Sequence, residues 1–217
     1  MNIPQLPGRR NFLAAVPGAV ALMALFGKQK LTAGKLEGRS EEDRMIDRYP
    51  AFDDKRSKKV VFVAHCIINQ SARCNNSGNF ASAIPLVPEY LLANKIGIAQ
   101  IPCPELGALG LGREGNIYDQ LSSVGSRRYL RALASDITYQ ISQYRKHGFT
   151  VPAVMGIDCS PSCGVNCHAD FGAKPGKGAF MEELSAALAK AGVEIAIIGV
   201  EDKNPQKALE ELKALGI

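Results

Sequence analysis

The chain has 217 residues, 46% of them hydrophobic, which is enough for one sizeable core and argues for one main folded domain. Its formal net charge of +5 suggests a nucleic-acid face until the charge is located: residues 1–59 carry twelve Lys or Arg against seven Asp or Glu, and the remainder carries fourteen of each. With no Trp and only 6% aromatic residues there is no stacking platform for bases either, so a nucleic-acid partner is set aside. In chain order, Gly8-Arg9-Arg10-Asn11-Phe12-Leu13 leads into an apolar run from Phe12 to Gly27, closed by Lys28 and Lys30. That run contains Pro17 and Gly18 and is shorter than the roughly 18–20 residues of a spanning helix, while it matches the charged and apolar regions of a signal peptide. The paired arginines resemble a twin-arginine export signal. Residues 1–33 are therefore expected to be such a signal or a retained anchor. Either places the domain in the periplasm or otherwise outside the cytoplasm, with the export machinery as a partner and membrane contact only through this segment. Residues 34–57 are dense in charge and lack apolar periodicity, which suits a solvated linker, and the folded domain is expected over 58–217.

From Lys58 onward short β-branched runs alternate with helical stripes, the pattern of a parallel sheet wound by helices. The first strand is Val60 to Ala64, a continuous apolar run of the buried kind, followed by a helix with Ile84, Val87, Tyr90 and Leu91 on one face. A second strand spans Ile96 to Ile101. A glycine-rich connection containing Gly107, Gly110 and Gly112 follows and is read as a flexible pocket loop, since a dinucleotide fingerprint belongs after the first strand. Leu130, Leu133, Ile137, Ile141 and Tyr144 then mark the clearest helix, ended by Gly148. Val151 to Ile157 forms the third strand, and the next helix carries Met181, Leu184 and Leu188 and is capped by Gly192. Ile195 to Val200 forms the fourth. Asn204 and Pro205 open the last helix, with Leu209, Leu212 and Leu215 facing inward. The expected fold is α/β, a three-layer Rossmann-like domain with a four-stranded, mainly parallel sheet.

In such sheets ligands bind outside the carboxyl ends of the strands. Cys66 follows the first strand, Cys103 the second, and Cys159 and Cys163 the third, so the cysteines gather at that edge and outside the expected helices. Three readings compete. The six cysteines could form disulfides, although a domain of this size does not need staples. A structural zinc is the second, with Cys159, Cys163, Cys167 and His168 spaced more loosely than paired knuckles. An iron–sulfur cluster is the third, for which three strand-end loops offer three thiolates.

The segment from Cys66-Ile67-Ile68-Asn69 to Arg73, the Cys103-Pro104-Glu105 turn with Arg113 downstream, and Ser160-Pro161-Ser162-Cys163-Gly164 resemble, in order and spacing, the thiouracil desulfidase (TudS-like) family. The resemblance covers residues 60 to 165, about half the chain, and its most specific piece is the Ser-Pro-Ser-Cys-Gly stretch. It implies a 4Fe-4S cluster held by Cys66, Cys103 and Cys163 with the fourth iron free, and the removal of sulfur from a thiolated nucleobase; with the departures below, the expected substrate is a small thiocarbonyl or thiolated compound of the thiouracil kind. The chain departs from the family at Asn69, where Gly is usual, at Cys74 and Asn75, which replace a Tyr-Asp pair, and at Gly112, where Pro is common.

Within that reading Glu105 is the candidate for activating water, and Ser160 for hydrogen bonding to sulfur or substrate. Asn69, Arg73, Ser162 and Arg113 are candidate substrate contacts. Each has a plainer alternative: a helix cap for Glu105, turn chemistry for Ser160, Ser162 and Asn69, and surface ion pairs for the arginines. His65 could orient Cys66 or be a structural residue. Cys74 could pair with Cys167, and Cys159 could be an alternative ligand or a spare thiol. The rival function is an exported, non-catalytic binding or structural module whose cysteines bind zinc or form disulfides.

Overall fold

The computed structural model describes residues 52–216; the expected leader, and the linker as far as residue 51, lie outside the described residues. The domain's contacts begin before Lys58, because the Phe52 ring packs edge-on against His147 and Phe149 and carries the Arg56 guanidinium over its face.

Strand β1 (Val60–Ala64) is buried along its whole length, as a central strand covered on both faces must be. It runs straight into a one-turn helix, α1 (His65–Ile68), and a 3-10 turn over Gln70–Ala72. Helix α2 (Leu86–Ala93) returns the chain to strand β2 (Gly97–Ile101), which is exposed or half-buried up to Ile101, as an edge strand is. Two short helices, α3 (Pro104–Leu109) and α4 (Tyr118–Leu121), precede the long α5 (Val124–Lys146). Strand β3 (Ala153–Ile157) is again fully buried, and a hairpin of β4 (Cys167–Ala169) and β5 (Ala173–Pro175) follows it. Helix α6 (Ala179–Lys190), strand β6 (Ala196–Val200) and helix α7 (Pro205–Ala214) complete the described chain.

The main sheet is parallel and ordered β2-β1-β3-β6. Helices α5 and α6 pack together on one face and α2 packs with α7, giving the three-layer α/β arrangement expected from the alternating pattern. The order turns back on itself at β1, so the crevice between the carboxyl ends of β1 and β3 is the switch point where such sheets bind ligands. Among the described residues no helix is long and apolar enough to cross a membrane.

Four local expectations are corrected. The third strand starts at Ala153 rather than Val151, because Pro152 has no N–H to give the ladder. Lys59 bridges Thr150 while Phe62 pairs with Val154, so one extra residue is absorbed at that point. The supposed glycine loop after β2 is helical through Leu109: Cys103 caps it, Pro104 occupies its first turn, and only Gly110, at φ 84°, needs glycine's freedom. Cys66 lies within α1 and Cys167 within β4, so the cysteines are not confined to loops. Asn204 does sit at the N-cap of α7, but its side chain makes no cap hydrogen bond.

Candidate functional site

The three cysteines singled out at strand ends are presented by three different devices. Cys66 is the second residue of α1, so the strand itself aims it at the carboxyl edge of the sheet. Cys103 is the N-cap of α3, and its Sγ accepts the Leu106 N–H at 3.4 Å, a thiol filling the place usually held by a hydroxyl or carboxylate oxygen. Cys163 sits in a tight loop held from both sides. Its carbonyl accepts the Ile157 N–H, and its own N–H goes to Ser160 Oγ at 3.0 Å. The Ser162 carbonyl accepts the N–H groups of Phe180 and Met181, so the amino end of α6 clamps the loop with donors that the helix cannot satisfy internally. Gly156 in β3 permits this closeness: a Cβ there would run into the Cys163 carbonyl, Val165 and Met181.

All three thiols line one cavity of about 350 Å³. Burial pushes the Cys66 thiol up to about 11 and raises those of Cys103 and Cys163; repulsion from Cys103 adds to the rise at Cys66, and repulsion from both adds to that at Cys163. Hydrogen-bond donors nevertheless surround them. Arg73 reaches Cys66, Arg113 Nη2 lies 3.7 Å from Cys103 Sγ, and Ser162 Oγ lies 3.6 Å from Cys163 Sγ. Donors converging on buried sulfurs are what thiolates bound to a cationic centre require, and three thiols fit the donor set of an iron–sulfur cluster. Among the described residues no three His, Cys, Asp or Glu side chains are grouped as the ligands of a single ion would be.

The flanking polar groups form two sets, one buried around Glu105 and one half-buried around Arg73. Ser162 Oγ donates to Glu105 Oε1 at 2.7 Å, and Arg113 Nε lies 3.6 Å from Glu105 Oε2. Arg113 gives its other nitrogens to the carbonyls of Gly110 and Ala72, and its Nε–H has no hydrogen-bond partner. On the opposite side Arg73 grips Asp202 through two bonds, at 2.6 and 2.8 Å, and Asp202 also accepts from Asn79.

Glu105, Ser160, Ser162, Arg73 and Arg113 therefore all line the cavity with the three thiols. Asn69 does not. Its side chain accepts the Ser71 N–H, capping the 3-10 turn, and its amide lies 3.2 Å from His65 Nε2, so the turn role is the one seen. His65 is thus tied to Asn69, and burial lowers its pKa. Ser160 Oγ accepts the N–H groups of Ser162 and Cys163 and lies 3.3 Å from Ser162 Oγ, which makes it the frame of the loop as well as part of the wall.

The leftover cysteines are redistributed. Cys159 is bonded to Cys167, with Cα atoms 4.8 Å apart, so Cys167 is not the partner of Cys74 and Cys159 is not a spare thiol. Cys74 is free and lies on the cavity wall beside Ser77. Asp202, Asn79 and Asp158 also line the cavity, outside the sequence motifs. The first stands just beyond the carboxyl end of β6, where the same strand-end rule that picked out the cysteines would have found it. Asp158 accepts from the N–H groups of Val165 and Asn166 and orders the loop beyond Cys163.

No family model matches the sequence. The chain is similar to the uncharacterized protein MJ0003 of Methanocaldococcus jannaschii, 29% identical over 143 residues that cover 66% of this chain and 86% of the relative. Among solved structures it is similar to the 4Fe-4S-dependent thiouracil desulfidase TudS, at 15% identity and a TM-score of 0.44, over 72% of this chain and 99% of that one.

Proposed function

We propose that the chain is an iron–sulfur-dependent enzyme that removes sulfur from a small thiocarbonyl or thiolated compound. One observation carries the reading: thiols from three separate strand-end segments line a single cavity together with a buried carboxylate and its hydroxyl partner. Cys66, Cys103 and Cys163 would hold a 4Fe-4S cluster, which when bound supplies an iron without a protein ligand as a Lewis acid for a thiocarbonyl sulfur.

The chain's own residues account for the rest. Glu105 takes the proton of the attacking water, and the Ser162 hydroxyl holds its carboxylate in place by the bond to Oε1. Arg113 stands beside that carboxylate and is too deeply held by backbone carbonyls to swing outward. Arg73 is neutralised by Asp202, so the wall on that side presents no net cation. Asn76, Ser77 and Asn116 add further donors and acceptors to the wall, which suits an uncharged polar compound. The export signal expected in residues 1–33 gives this activity an extracytoplasmic address within the proposal.

The test is to reconstitute the full chain with iron and sulfide under anaerobic conditions, supply 2-thiouracil and small thioamides, and measure sulfide release. The reading expects release with at least one of them, and iron-loaded protein that releases none from any would count against it. The Cys159–Cys167 bond favours a second reading, an exported module whose cysteines are structural. That reading expects a colourless protein that takes up no iron.

A further inference from the structure

We propose that the Cys159–Cys167 disulfide is a sulfur acceptor: hydrosulfide formed in the cavity opens it, and the sulfur is held as a persulfide on Cys159. The inference rests on the desulfurising reading for its source of sulfide.

The two halves of the disulfide are unequal. Cys159 is exposed and lines the same cavity as the three thiols, whereas Cys167 is half-buried in the hairpin strand β4 and is not part of the wall. A nucleophile arriving from the cavity therefore meets Cys159 Sγ first. Access to one sulfur decides which of the two is attacked.

The other sulfur groups of the cavity cannot do this. Cys66, Cys74, Cys103 and Cys163 are free thiols, and a thiol joins hydrosulfide only if an oxidant removes two electrons. The disulfide already carries that oxidation. Hydrosulfide attacks Cys159 Sγ and a new S–S bond forms to the incoming sulfur. The Cys159–Cys167 bond breaks, and its electron pair leaves on Cys167 Sγ, which takes up a proton. The incoming sulfur is oxidised by one level and the Cys167 sulfur is reduced by one, so no outside oxidant is required. In the reverse step the Cys167 thiolate attacks Cys159 Sγ, re-forms the disulfide and expels hydrosulfide. The persulfide is thus a reversible store.

The backbone suits repeated opening. The Cys159 N–H donates to the Cys167 carbonyl at 2.9 Å, a tie independent of the sulfur bond that keeps the two residues together when it is open. Gly164 packs so tightly on the Cys167 carbonyl that a Cβ there would overlap it, which fixes the hairpin end of the pair. Cys159 has φ +59°, a left-handed conformation uncommon for any residue with a Cβ and found disproportionately at functional turns. The large buried core does not depend on a short staple for its stability.

The experiment supplies sodium sulfide to the full chain under anaerobic conditions, blocks thiols with iodoacetamide, and maps the peptides by mass. The peptide carrying Cys159 is expected to gain one sulfur atom while Cys167 is alkylated as a thiol. Cys167→Ser, which leaves Cys159 reduced, is expected to gain none. The proposal is overturned if both cysteines are already free thiols in the untreated protein, if sulfide leaves the bond intact, or if the sulfur appears on Cys167. Because sulfide is supplied directly, uptake at Cys159 in a chain that releases no sulfide from thiolated compounds counts against the desulfurising reading alone.

Discussion

Ser162 donates its hydroxyl to Glu105 at 2.7 Å, joining a buried carboxylate at the end of β2 to the loop that carries Cys163 at the end of β3. The two residues are 57 positions apart in the chain, and the bond closes the wall between two of the three thiol-bearing segments. Glu105→Gln keeps an acceptor for Ser162 but cannot take a proton. It is expected to leave iron content unchanged and to lower sulfide release roughly 100- to 10,000-fold. Ser162→Ala leaves Glu105 short of a partner and is expected to cost about 1–3 kcal/mol in urea unfolding.

Asp202 is the only carboxylate bonded to Arg73 among the described residues' ion pairs, and it receives Asn79 as well. Asp202→Asn removes the charge that balances the guanidinium, and the expected loss is about 1.5–3 kcal/mol of stability, read from the urea midpoint. A second consequence is a changed wall, since the freed guanidinium then presents a net cation. Anionic thiolated compounds are expected to be turned over better by this variant than by the parent, relative to neutral ones.

Gly156→Ala tests how the Cys163 loop is seated. The added methyl meets side-chain carbons of Val165 and Met181 and the Cys163 carbonyl, a backbone atom that can yield only if the loop moves. Overpacking of this kind costs about 1–3 kcal/mol, and lower iron uptake is expected beside the lower melting temperature. The same change at Gly78, where nothing lies near the added atom, is expected to leave both unaltered.

The buried thiols make the stability of the iron-free chain depend on alkaline pH. Burial raises the Cys66 pKa from 9.0 to about 11, and Cys103 and Cys163 move the same way. The folded chain thus holds these protons more tightly than the unfolded one. Their contribution is fully present below pH 9 and is lost as pH rises toward 11. Urea midpoints of the iron-free protein are expected to fall across that window, and less so in Cys66→Ala. Equal declines in both would contradict the assignment of the shift to this thiol.

Much of this arrangement is legible in the residues. Val60 to Ala64 reads as a buried central strand because every position is apolar, and the cysteines stand out because three follow strands directly. What escapes the reading is physical in each case. Gly107, Gly110 and Gly112 disguise α3, whose start depends on a cysteine acting as a cap, an uncommon choice. The β4–β5 hairpin is too short for a period to show, so the turn that brings Cys167, at its start, back to Cys159 is invisible in the spacing. Asp202 is within reach of the strand-end rule, but its pairing with Arg73, 129 positions away, is a relation that no local pattern carries.

The central claim, that Cys66, Cys103 and Cys163 together hold one cluster, is tested most directly by iron and acid-labile sulfide analysis of anaerobically loaded chains. The parent is predicted to bind about four irons per chain, and each of Cys66→Ala, Cys103→Ala and Cys163→Ala to lose most of that iron while Cys74→Ala retains it. Full iron content in Cys163→Ala, or an iron-free parent, would contradict the account.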